Sequence, residues 1–238
     1  MMAVEMSQSG QEPRIQAVVF DLDGLMFNSE DIFHEVGQAT LRRRGKELTK
    51  ELHSQMLGRR APEAMQICIE YHSLPDTVED LLRETRELFE QLSTLHLAPM
   101  PGLHRLLDHI EEHELPKGVA TSSGRSYLER MLTRFKLQNR FDLTLTAEDV
   151  TQGKPNPEIY HKAAERLGIP VTEMLVLEDS HAGTTSAVRA GAVAVSIPNR
   201  HTTHLDFGHA HRVVSQLDDP ILLRYVSGNS RKSTRRPS

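Results

Sequence analysis

Two aspartates stand one residue apart in VVFDLDGLMFNSE (residues 18–30), directly after a run of apolar, β-branched residues. In an extended segment residues i and i+2 point the same way, so Asp21 and Asp23 can face one reacting centre. Three other places end an apolar run in reactive side chains. ATSSG carries Thr121 and Ser122, GKPNPE carries Lys154, and LEDSHAG carries Glu178 and Asp179. Each alone has an ordinary explanation, because Asp and Ser commonly cap helices and shape turns. Together they make four acids, two hydroxyls and a lysine. Clustered carboxylates repel unless a cation joins them, and magnesium takes hard oxygen ligands and bridges to phosphate. One ionised carboxylate can then attack phosphorus, and the other can protonate the leaving oxygen and later deprotonate water. Thr121 and Lys154 supply the donor and positive charge that a transferring phosphoryl group requires. The chemistry indicated is phosphoryl transfer, with the four acids Asp21, Asp23, Glu178 and Asp179 needing a counter-cation that Mg2+ fits.

Such a set works only if the elements before it deliver it to one rim. VVF (18–20), KGVAT (117–121), FDLTLTAE (141–148), MLVLED (174–179) and AVAVSIP (192–198) read as five strands. The intervening segments GRSYLERMLTRFKL, NPEIYHKAAERLGI and SHAGTTSAVRAG read as helices, with Gly168 and Gly191 past the ends of the last two. Strands joined by helical crossovers imply an α/β, doubly wound parallel sheet covered on both faces, whose ligands bind outside the carboxyl ends of the strands. Residues 30–97 break the rhythm. They contain no convincing strand, and TVEDLLRETRELFEQLSTLH places Leu81, Leu82, Thr85, Leu88, Phe89, Leu92 and Leu95 at helical spacing. This predicts an inserted bundle of about four helices, closed by the turn-rich PMPG at 99–102.

Composition narrows the setting. The 238 residues include 38% hydrophobic and 26% charged side chains, which suits a globular protein, and no apolar run approaches the ~20 residues of a membrane span. The N-terminus lacks the basic start and apolar centre of a signal peptide. The single cysteine, Cys68, cannot form an internal disulfide and sits in an apolar pattern, so a buried inert thiol in a reducing, cytoplasmic setting is expected. The net charge is −5, yet Arg231, Lys232, Arg235 and Arg236 crowd the last residues. Setting those four aside leaves 24 basic against 33 acidic side chains, an acidic body that argues against nucleic-acid binding. The partner expected is a small phosphorylated molecule, with neither nucleic acid nor membrane, and a monomer is the default.

Taken in order, FDLDG, ATSSG, GKPNPEIY and LEDSHAG resemble the motifs of the haloacid dehalogenase superfamily, specifically its magnesium-dependent phosphatases with a helical cap inserted after the first motif. That resemblance implies a core of residues 15–29 and 98–226, a cap of residues 30–97, and disordered tails at 1–14 and 227–238. It also implies that Asp21 becomes a phosphoaspartate and that Asp23 is the acid/base, lending its main-chain carbonyl to the metal. Thr121 and the amides of Ser122 and Ser123 would hold phosphate, Lys154 would bridge nucleophile and phosphate, and Asp179 would bind magnesium with Glu178 beside it or acting through water. Asn28 departs from the commoner aspartate at its position. Gly58, Arg59 and Arg60 precede a helix with Pro62 in its first turn and therefore lie on a loop. The resemblance implies that this loop folds over the site and contacts the substrate; the competing reading is a solvated basic loop.

Several alternatives share parts of this pattern. True dehalogenases resembling this fold lack an acid at the position of Asp23. Phosphonate hydrolysis needs a cap lysine, and Lys46 and Lys50 lie in an exposed basic turn. A phospho-accepting receiver module orders its motifs differently and has no helical insertion. A catalytically inactive binder would not need every motif position filled. A mutase of the beta-phosphoglucomutase kind remains the principal alternative, but its cap histidine, twelve residues after the nucleophile, falls here at Phe33, with His34 adjacent.

Overall fold

β1 (Ala17–Phe20) is buried along its whole length, as a strand must be in the middle of a sheet covered on both faces. In the computed structural model, which describes residues 13–56 and 59–228, β1 pairs in parallel with β2 (Lys117–Ala120) on one side and β4 (Met174–Glu178) on the other. β3 (Leu143–Leu145), β5 (Val193–Ser196) and β6 (Arg212–Val213) complete a six-stranded parallel sheet in the order β3-β2-β1-β4-β5-β6. The chain builds outward from β1 to β3, then crosses back over β1 to start the other half at β4. A ligand crevice opens at that reversal. The α/β fold inferred from the sequence is the one observed, with one strand more. The sixth strand has two residues, both exposed, so no apolar run announces it.

Alternation along β1 sends Val18 and Phe20 into a core with α5 (Leu103–Glu112), α6 (Arg125–Arg134) and α9 (Pro220–Ser227). Val19 enters a second core beneath α7 (Glu158–Leu167) and α8 (His181–Ala190). α9 runs through Ser227 and Arg14 lies 3.7 Å from Glu173, each at the inner end of an expected tail. The rest of those tails, including Arg231, Lys232, Arg235 and Arg236, lies outside the described residues. Among the described residues no helix is long and apolar enough to cross a membrane.

Between β1 and α5 the chain forms α1 (Ser29–Arg42), α2 (Lys50–Met56), α3 (Ala61–His72) and α4 (Val78–His96). This insert has its own small core of Leu41, Leu48, Leu52, Cys68, Leu74 and Leu81. Burying each such leucine is worth about 1.5–3 kcal/mol. Burial raises the thiol of Cys68 above its ordinary pKa. Leu95, expected on the inner face of α4, is 77% exposed. The buried face is set instead by Leu81, Phe89 and Ser93, and Leu95 lies roughly 100° round the helix from its middle. The two connections between insert and sheet run side by side. Asn28 Nδ2 donates to the carbonyl of His96 (3.1 Å) while its Oδ1 accepts from the amide of Ala98 (2.7 Å).

Candidate active site

The sheet ladder continues one residue past the strands and thereby fixes the site. The Asp21 amide donates to the Leu177 carbonyl of β4, and the Thr121 amide to the Leu145 carbonyl of β3, both at 3.0 Å. Lys154 reaches in from the loop before α7. Its buried ammonium donates to Asp21 Oδ1 (2.5 Å), Glu178 Oε1 (2.6 Å) and the Ala120 carbonyl (2.9 Å). Donor oxygens of Asp21, Glu178 and Asp179, all three residues buried, lie within 4.8 Å of one another.

Charge in this pocket does not balance. Three carboxylates face one ammonium, which leaves two negative charges when all are ionised. Burial, opposed by Lys154 and reinforced by Glu178 and Asp23, pushes Asp21 up to about 8. Burial together with Asp21, Glu178 and Glu30 raises Asp179. Burial works against the Lys154 ammonium, but Asp21 and Glu178 more than offset it and hold the lysine charged. An all-oxygen donor set with two uncompensated charges fits a hard divalent cation. Packing around it leaves no slack. A Cβ on Gly24, whose φ is +78°, would lie 2.3 Å from Asp179 Oδ2, and one on Gly183 would lie 1.9 Å from Glu178 Oε1. The glycines of FDLDG and LEDSHAG are therefore required by close approach to the carboxylates.

Asp23 lives in a different environment. Its carboxylate lies outside the cluster of Asp21, Glu178 and Asp179 and is caged by hydroxyls. Ser29 Oγ (2.7 Å) and the Tyr127 phenol (2.8 Å) donate to Oδ1, and Ser123 Oγ (2.6 Å) donates to Oδ2. Burial and the Asp23 charge hold the Tyr127 phenol well above its ordinary value, so it remains a donor. Thr121 is buried, and its Oγ1 accepts from the Ser123 amide at 3.0 Å. Thr121 to Ser123 thus form one tight turn, with Ser123 touching both the threonine and Asp23.

The loop residues diverge. Gly58 lies outside the described residues. Arg59 is exposed, whereas Arg60 lies against the core. Its Nη2 donates to the carbonyls of Val150 (3.0 Å) and Ala147 (3.3 Å), and its Nε would sit 3.1 Å from a Cβ on Gly153, next to Lys154.

Four contributors escaped the sequence reading. Tyr127 and Ser29 hold Asp23. Asn199 donates to Asp179 Oδ2 (2.7 Å) and the Gly24 carbonyl (3.2 Å), and the Tyr160 phenol donates to Glu178 Oε1 (2.6 Å). Asn199 follows β5, and extending the strand-end rule by one strand would have found it. Glu30 lies beside this network. Burial, with Asp23, Asp21 and Asp31 adding, pushes it up to about 8.

Residues 18–197 match the family model of the haloacid dehalogenase-like hydrolases. The chain belongs to this family. The hydrolase is 31% identical to a probable pseudouridine-5'-phosphatase of Drosophila melanogaster over 87% of its own length and 91% of the relative's. It is also 31% identical to a phosphorylated carbohydrates phosphatase of Thermotoga maritima, covering 74% of this chain and 82% of that one. Among solved structures, a beta-phosphoglucomutase described as putative, from Thermotoga maritima, superposes with a TM-score of 0.70 at 25% identity, over 90% of this chain and 99% of the other. The hydrolase is an enzyme of the phosphatase branch, whose members generally use a divalent metal.

Proposed function

We propose that the enzyme hydrolyses phosphate monoesters of small metabolites through an aspartyl phosphate on Asp21, with magnesium at the carboxylate cluster. The observation that carries this reading is the unlike treatment of two neighbouring carboxylates: Asp21 bonded to a buried ammonium, Asp23 caged by three hydroxyls. Asp21, Glu178 and Asp179 would hold the ion, which supplies positive charge beside the phosphoryl oxygens. An Asp21 oxygen forms a bond to phosphorus as the bond to the leaving oxygen breaks, and Asp23 gives that oxygen its proton. Water then yields a proton to Asp23 and attacks phosphorus, breaking the bond to Asp21 and releasing phosphate. Lys154 and Thr121 would bind the phosphoryl oxygens during both steps. Ser29, Ser123 and Tyr127 orient Asp23.

Residues 30–97 are read as a cap that closes over this site and selects the leaving group. The relatives' names point to the monophosphate of a sugar or nucleoside. The chain is further proposed to act in the cytoplasm, on the strength of its one buried cysteine, with a monomer as the default. The surroundings of Phe33 favour hydrolysis over a mutase. Its ring stacks on Phe89 at 4.7 Å and offers no proton-carrying atom, while His34 packs among His53 and His201.

Activity should vanish with chelator and return with magnesium, with calcium a poor substitute because its larger, looser coordination misaligns an in-line attack. Asp21→Asn should abolish turnover. Asp23→Asn with an aryl phosphate should give a burst and then turnover slowed by about 10²–10⁴-fold, with the phosphoryl label recovered on Asp21 after acid quench and peptide mapping. Label on Asp23, Ser122 or Thr121 would overturn the assignment. A burst discharged faster by a sugar phosphate than by water would favour the mutase.

A further inference from the structure

At the amino ends of the strands, where α5 leads into β2, a second group of ligating side chains converges. His109, Glu112 and His113 occupy the last turn and C-cap of α5, and one donor atom of each lies within 4.8 Å of the others. His109 Nδ1 is 3.7 Å from Glu112 Oε2, and the two imidazole centroids are 4.4 Å apart. The i, i+3, i+4 spacing puts all three on one helix face.

The hydrogen bonds of the rings set their tautomers. His109 Nε2 faces the Leu223 carbonyl (3.1 Å) and Ser227 Oγ (2.8 Å) of α9, and His113 Nδ1 faces the His109 carbonyl (2.8 Å). A carbonyl only accepts, so those nitrogens carry the protons of the neutral rings, leaving lone pairs on His109 Nδ1 and His113 Nε2. Such carbonyl partners on the far nitrogen fix ring orientation at metal sites. Neighbouring Glu111 is already paired with Arg140 and Lys117. The C-terminal end of a helix also carries partial negative charge, which favours a cation. Two imidazoles and one carboxylate suit zinc and its transition-metal neighbours and suit magnesium poorly, so this cluster differs in chemistry from the all-oxygen one.

We propose that the last turn of α5 binds one divalent transition ion of the zinc class through His109, Glu112 and His113, with water completing the coordination. A cation on His109 Nδ1 makes its Nε2–H a stronger donor to Leu223, so the ion tightens the contact between α5 and α9 at the end of the sheet away from the active site.

The test uses full-length, chelator-stripped protein with millimolar magnesium present to fill the acidic cluster. Calorimetric titration with Zn2+ should show one equivalent bound, and Co2+ should give visible d–d absorption from a mixed nitrogen and oxygen set. Glu112→Gln and His113→Ala, which leave the bonds to α9 intact, should each weaken Zn2+ binding by more than the ~10-fold that losing an outer partner costs. They should also abolish the zinc-induced rise in melting temperature. Absence of a bound equivalent, or binding that survives the double variant, would overturn the proposal. So would binding lost in His53→Gln instead, since that would move the ion to the histidines beside the insert.

Discussion

Replacing Lys154 by methionine keeps length and apolar stem while deleting the ammonium that Asp21 and Glu178 share. The side chain is 2% exposed and its two carboxylate partners lie 2.5 and 2.6 Å away, so the deleted charge is a buried one. Removing one partner of a buried pair costs about 3–5 kcal/mol because the other charge is left uncompensated. For a chain of this size each kcal/mol lowers the melting temperature by about 2–4 °C, so the variant should melt on the order of 10 °C lower in chelator at pH 7. Magnesium should then close part of the gap. Without the lysine the three clustered carboxylates have no counter-charge, so the variant should gain more from a saturating cation than the parent does, each gain following the logarithm of ion concentration over dissociation constant. Melts followed by circular dichroism, with and without magnesium, test both claims. A chelator melting point within about 2 °C of the parent, or equal magnesium gains in the two proteins, would refute the view that Lys154 is the buried counter-charge of the site.

Gly183→Ala should push Glu178 from its place and cut kcat/KM by about 100-fold, the cost of a 1 Å misplacement, visible in steady-state hydrolysis; unchanged kinetics would show that the carboxylate has room to move. Arg60→Ala should raise hydrogen exchange across residues 147–153 and lower turnover of every phosphate alike, whereas Arg59→Ala should leave exchange there unchanged; an effect of Arg60→Ala confined to the KM of one substrate would instead make it a substrate ligand. Acid should loosen the seam between insert and core. Burial, then His34, His201 and His204, lowers His53 to about 4, and burial, then His201 and Arg200, lowers His34, with Glu30, Asp31 and Glu35 of α1 as the facing acids. The folded protein binds fewer protons than the unfolded chain between about pH 4 and 6.5, so stability falls with pH through that window, by about 2 kcal/mol for His53 between pH 7 and 5. Urea unfolding of the parent and His53→Gln at both pH values checks this, and a variant that keeps the full loss would exonerate the histidine.

Strand-end positions were legible in the sequence because a parallel sheet carries every carboxyl end to the same rim, so Asp21, Thr121, Lys154 and Asp179 could be grouped without coordinates. What escaped were residues whose relevance depends on how one layer lies on another. Tyr127 sits at a position of α6 that reads as helix surface, and only the packing of α6 beside β1 brings its phenol to Asp23. Arg60 showed its loop location in the sequence but not its partners, because backbone carbonyls leave no trace in side-chain identity. Glu30 has the type and place of any first-turn acid of α1, and only its burial beside Asp23 and Asp21 sets it apart. α5 carries a legible signal of its own, since Leu103, Leu106, Leu107 and Ile110 recur at helical spacing after PMPG and are all fully buried.

Asn28 has a mechanical consequence. A body hung on two separate strands of chain can twist, shear or swing, since each strand flexes on its own. Here one side-chain amide donates across to His96 and accepts back from Ala98, and the backbone adds an Asn28 amide to Ala98 carbonyl bond at 3.1 Å, so the pair behaves as a ribbon. A ribbon bends easily about the line across its width and resists the other rotations. Were the insert to move as a cap, that ribbon would confine it to essentially one swing, along which the Arg60 loop and His53 travel together. An aspartate at residue 28 can accept from Ala98 but cannot donate to His96, so it undoes half of the stitch and lets the two strands flex apart.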